Sequence, residues 1–130
     1  VPGIEEQRLW AVLNNTNAEL GGEFIETRLL TSGPRTNPWF QESGERLIED
    51  GDLVAVDGDL IGPDGFFGDI SRSFLCGDAK ASDEQRKLYG LAHEQVSHNL
   101  ALLKTGVSFA EYTQKSWRMP KRYFPTATCH

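Results

Sequence analysis

Apolar residues recur along this chain with two different periods, and the change of period marks the elements. From Glu5 to Leu20, Leu9, Val12, Leu13 and Leu20 fall on one face, acidic residues occupy the first turn, and Gly21-Gly22 follow. That spacing predicts a helix stopped by the glycines. Phe24 to Leu30 predicts a short strand. Leu53–Ile61 and Phe66–Phe74 alternate every second residue with turn formers between them, which predicts a β-hairpin. Ser82 and Gln85 make a capping box that opens a helix running to about Leu103. Leu88, Leu91, Val96 and Leu103 form its apolar face, and Gly106 closes it. Phe109 to Trp117 predicts a second short helix, and Arg122 to His130 has strand character. Thr31 to Glu42, TSGPRTNPWFQE, is a loop by its glycine, two prolines and asparagine.

The hairpin carries what strands normally lack, namely Asp57, Asp59 and Asp69. Strand side chains alternate, so Asp57 and Asp59 share a face. Asp69 joins them only with the right loop. A three-residue loop, Pro63-Asp64-Gly65, built as a type I turn followed by a left-handed glycine, sets Gly62 opposite Phe66, Leu60 opposite Gly68 and Asp59 opposite Asp69. A two-residue loop turns Asp69 to the far side. Three carboxylates on one face repel each other. Either one of them is protonated or a cation sits among them, clustered carboxylates being standard hard-oxygen ligands. A solvated acidic face is the bland alternative, and the apolar richness of both strands argues against it.

The loop before the hairpin brings Arg35, Trp39 and Gln41 together. An aromatic face suits a cationic or apolar group, and Arg suits a carboxylate, so Trp39 and Arg35 are candidate substrate-binding residues. The competing reading has Trp39 and Phe40 capping the core and Arg35 solvated. His93 and His98 lie in HEQVSH, one residue too long for the HExxH zinc helix, and read as solvated or capping. Trp10 reads as packing.

Composition narrows the partners. At 130 residues and 38% hydrophobic the chain has material for one modest domain, and a net charge of -6 disfavours nucleic acid and anionic membrane. No apolar run reaches membrane-spanning length and no signal-peptide pattern opens the chain. Cys76 and Cys129 form no disulfide or metal framework, which points to a reducing cytoplasm. The chain starts at Val1 and its single methionine is Met119, so it reads as a piece of a longer protein.

GDLVAVD followed by GFFGDISRSF resembles the pita-bread metalloenzymes: methionine aminopeptidase, Xaa-Pro aminopeptidase, prolidase and creatinase. The resemblance spans nearly the whole of residues 1–130. It implies the N-terminal half or more of an α+β catalytic domain, with an antiparallel sheet and helices on one side. It further implies that Asp57 and Asp69 bridge two divalent transition metal ions and that His130 is the histidine ligand. Two glutamate ligands and the general base would lie beyond residue 130. The donor set suits iron, manganese, cobalt or zinc better than calcium. Arg72 is a candidate to orient Asp69 or a neighbouring ligand.

Two features depart from the family's peptidases. Asp57 and Asp69 are twelve apart rather than eleven, with Asp59 as a third carboxylate, and no histidine lies near Trp39. Both features, with SGPRTNPWFQE and GDISRS, are similar to the dimethylsulfoniopropionate lyase branch of the same fold. The resemblance implies a metal-dependent, homodimeric enzyme acting on a small molecule or short peptide. A metal-dependent Xaa-Pro peptidase and an inactive binding module are the rivals. The fragment alone, lacking half the ligand shell, is expected to be inactive.

Overall fold

The computed structural model describes residues 2–126. It is an α+β arrangement that divides into two compact units, Val1–Lys80 and Ala81–His130. In the first unit, helix α1 (Glu6–Glu19) precedes strands β1 (Phe24–Glu26), β2 (Leu30–Ser32), β3 (Leu53–Ile61) and β4 (Phe67–Leu75). β3 is the centre of an antiparallel sheet: β4 pairs along its whole length on one side, and β1 and β2 pair end to end on the other.

The single strand expected over Phe24–Leu30 is broken, and the break has a cause. Thr27 adopts φ 60. Glu26 pairs with Asp59 and Leu30 with Val56, so three residues on one strand face two on the other. This is a β-bulge, with one extra residue that flips the facing of everything after it. Ile25 and Leu30, of opposite parity, therefore both join the helix-covered face. The bulge also extends pairing through Ser32, into what the sequence reads as loop.

That covered face holds the core. Leu30, Ile48, Val54 and Cys76 are buried together, with Ile4, Leu9, Trp10 and Val56 against them. α1 contributes Leu9 and Trp10 and is closed by Gly21, whose φ of 85 turns the Gly22 N–H back to the Asn17 carbonyl at 2.8 Å. Leu20 does not share the apolar face; it is the exposed residue that caps the helix. β4 is mostly exposed, unlike β3.

The second unit has α2 (Asp83–Leu102) and α3 (Phe109–Lys115). Ser82 and Gln85 close the expected capping box. α2 stops at Leu102, before Gly106, which instead sits in a turn between Lys104 and Val107. His98 Nε2 lies 2.9 Å from the carbonyl of Lys115, the last residue of α3, a capping role. Lys121–Thr126 is a 3-10 turn, so the strand expected there does not form over those residues. Cys129 and His130 lie outside the described residues. No helix among the described residues is long and apolar enough to cross a membrane.

Candidate metal centre

The hairpin turn decides what the acidic residues can do. Pro63-Asp64-Gly65 is the three-residue loop, with the Gly62 N–H donating to the Phe66 carbonyl at 2.8 Å. Its backbone differs from the expected type I turn: Asp64 (φ 62) and Gly65 (φ 75) are both left-handed. Loop length, not turn type, fixes the register. Leu60 pairs with Gly68 and Asp59 with Asp69, as the spacing predicts.

Asp57, Asp59 and Asp69 consequently stand on one face of the hairpin, the face turned away from α1. Asp57 is 4% exposed and accepts a hydrogen bond from Ser71 Oγ at 2.5 Å. Its backbone N–H donates to the Leu29 carbonyl at 2.8 Å, beside the bulge. The bulge adds a residue that sequence reasoning missed. Glu26 lies directly opposite Asp59, so Glu26, Asp59 and Asp69 form a row across three strands. No period in the sequence reveals this, because the parity of β1 depends on an insertion within the sheet. Toward the hairpin tip the same face turns apolar, with Phe24, Ile61 and Phe67 in register.

Arg72 is placed otherwise than expected. It pairs with Val56, which turns it to the face opposite Asp69, and its guanidinium donates to the Ser71 carbonyl at 2.8 Å. Ser71, one position earlier, makes the supporting contact instead, to Asp57. His130 lies outside the described residues. Among the described residues, no three His, Cys, Asp or Glu side chains converge closely enough to hold a metal ion. The strand register supplies the common face and three hard oxygen donors.

The loop after β2 is cross-braced. Gln41 Nε2 donates to the carbonyls of Arg35 (3.1 Å) and Pro38 (2.9 Å). Trp39 is partly buried and packs obliquely on the more exposed Phe40, ring centres 6.1 Å apart. Arg35, expected to meet a substrate carboxylate, has its guanidinium turned elsewhere. One end pairs with the Glu6 carboxylate and the other donates to the Glu42 carbonyl at 2.8 Å.

Glu6 is fully buried, although the sequence pattern marks it only as one of the acids of a first helical turn. Next to it, Ser32 Oγ also accepts from Arg46, and Arg46 pairs with Asp52 at 2.6 Å. Burial works to raise the Asp52 carboxyl. The Arg46 hydrogen bond, the Glu49 N–H and the Arg46 charge outweigh it and hold Asp52 below the usual carboxylate range. The hydrogen bond to Asp52 likewise raises Arg46.

The description of Metallopeptidase family M24 fits residues 1–130. Two curated relatives are dimethylsulfoniopropionate lyase DddP from Roseovarius nubinhibens, 46% identical over 118 residues, and the same lyase from Roseobacter denitrificans, 44% identical over 108. They cover 91% and 82% of this chain, which spans only 26% and 24% of their length. Among solved structures, prolidase from Pyrococcus furiosus superposes with a TM-score of 0.77 at 23% identity, covering 86% of this chain and 33% of the prolidase. Escherichia coli aminopeptidase P superposes at 0.76 with 27% identity, covering 86% and 25%. The chain has the pita-bread fold of these enzymes, and its sequence groups with the lyase branch.

Proposed function

The chain belongs to metallopeptidase family M24, and from that premise we propose that it is the N-terminal part of the catalytic domain of a dinuclear-metal enzyme that cleaves dimethylsulfoniopropionate. The observation that carries this reading is the hairpin register. Asp59 faces Asp69 across the strands, with Asp57 beside them on the same face. Directly opposed carboxylates cost stability, and the cost is offset when they share a cation.

The donor set fits such a group in kind. Asp57, Asp59 and Asp69, with His130 from the chain's end, would hold two divalent ions of iron, manganese, cobalt or zinc. When bound, the ions supply Lewis acidity that polarises a substrate carboxylate. The chain's own residues supply the rest of the environment. Ser71 fixes the Asp57 carboxylate, and the bulge at Thr27 seats the Asp57 amide. Trp39 offers an aromatic wall to a sulfonium cation.

In the reaction a base takes the proton next to the substrate carboxylate. The electron pair forms the C=C bond, the C–S bond breaks, and dimethyl sulfide leaves with its electrons, giving acrylate. The base lies outside residues 1–130. The whole enzyme is read as a cytoplasmic homodimer; the free, buried thiol of Cys76 supports a reducing compartment.

Aminopeptidase P is the specific rival, because the fold likeness reaches 27% identity there. Assay of the full-length, metal-loaded protein separates the two. Release of dimethyl sulfide from dimethylsulfoniopropionate with Xaa-Pro dipeptides left intact is the expected result. Dipeptide cleavage without dimethyl sulfide assigns the protein to the peptidases. Full-length protein that purifies and stays metal-free by elemental analysis is a binding module. Residues 1–130 alone should show no turnover.

A further inference from the structure

One buried acid is left unused by the reading above, and its surroundings are unusually complete. The Glu6 carboxylate, at the first position of α1, accepts from the Ser32 N–H (2.7 Å), Ser32 Oγ (2.8 Å) and the Gly44 N–H (3.2 Å), and it pairs with Arg35. Ser32 is the last residue of β2 before the loop, Gly44 follows the loop, and Arg35 lies within it. One carboxylate therefore holds both ends of the segment and a side chain from within it. The neighbouring backbone repeats the attachment: the Glu6 N–H donates to the Arg46 carbonyl and the Gln7 N–H to the Gly44 carbonyl, both at 3.0 Å. Arg35 then passes the constraint on, donating to the Glu42 carbonyl, while Gln41 ties the loop to itself across Trp39.

A surface connector has no need of this. Burying a carboxylate is expensive, and the cost is recovered only where every lone pair is met. An ordinary loop of this length spends its polar groups on water. Here the buried charge secures one conformation of the segment that presents Trp39.

We propose that Glu6 and Arg35 are positioning residues for substrate binding: together they clamp residues 33–44 so that the Trp39 ring is held ready to meet the substrate's cationic end. The proposal rests on the substrate reading above. It also reassigns Arg35 from contacting substrate to acting through the loop.

The test uses the full-length, metal-loaded protein and two variants, Glu6→Gln, which keeps side-chain shape and removes the charge, and Arg35→Gln, which removes the guanidinium, with the double variant. Breaking the pair should raise KM about tenfold and leave kcat within about twofold, the signature of lost ground-state and transition-state binding alike. In the same proteins, amide exchange over residues 33–44 should speed up by about tenfold or more, while β3 amides stay protected. The double variant should be no worse than the single ones, since all three remove one shared interaction. Equal exchange in wild type and variants, exchange that rises uniformly over the first unit, or additive KM effects would each overturn the clamp. Amide exchange needs no substrate, so it decides the matter even if the wild type proves to act on dipeptides. In that event KM is read on the dipeptide, and failure of the lyase reading is seen in the wild type alone.

Discussion

Two regions of the first unit bury or crowd carboxylates, and they do it in opposite ways. Around Glu6 the chain closes the acid with its own donors: two groups of Ser32, the Gly44 amide and Arg35. Along the hairpin it lines up Asp59 and Asp69 face to face, with Glu26 on the far side of Asp59 and Asp57 two residues along β3 on the same face. The first arrangement is electrostatically complete and resembles structural ion-pair networks. The second concentrates acceptors of one sign, which serves stability only if something else neutralises them. What distinguishes the two is the sign of the neighbours: a cationic guanidinium and N–H donors around Glu6, further carboxylates across the strands beside Asp59.

Substitutions sharpen that contrast because the two regions should respond with different magnitudes and signs. Glu6→Ala strands Arg35 and the two backbone amides, and should cost about 3 kcal/mol in denaturant unfolding. A loss under about 1 kcal/mol would place Glu6 with the surface acids instead.

Next in size is Asp52, which continues the same network through Arg46. Its folded-state pKa is depressed, so its contribution is fully present above the unfolded value near 4 and disappears as pH falls through the lower folded value. Asp52→Asn should therefore cost about 1–3 kcal/mol at pH 7 and flatten the acid limb of the stability curve. An unchanged acid limb would mean that Asp52 is not held by Arg46.

On the hairpin, Ser71→Ala removes a single donor to Asp57 and should cost about 1 kcal/mol, with weaker metal retention in the full-length protein. The smallest effect is the most telling. Asp69→Asn relieves repulsion with Asp59 and should stabilise the metal-free protein by about 0.5 kcal/mol, while lowering metal content by elemental analysis. Destabilisation of the metal-free protein would show that the row resembles the Glu6 site after all.

How much of this was legible beforehand differs by region. Asp57, Asp59 and Asp69 could be read from alternation plus a three-residue loop, since both are local properties of consecutive residues. The same local logic gave α1, the capping box of α2 and the capping role open to His98. It misjudged the turn type, as Asp64 accepts a left-handed backbone that Asp tolerates better than most residues. It also put Leu20 on an apolar face that the helix had already left.

The amino-acid order alone determined the hairpin, its register and the family, because alternation, turn length and motif spacing are written between near neighbours. Only the tertiary structure decided that Glu6 is buried among donors, which way Arg35 turns, and that Glu26 lines up with Asp59; that Arg72 faces away from Asp69 already follows from strand alternation. The Glu6 contacts join partners 26 to 38 positions apart, and the Glu26 alignment depends on a bulge within the sheet. A single extra residue there reverses every side chain beyond it, and no period in the sequence registers that reversal.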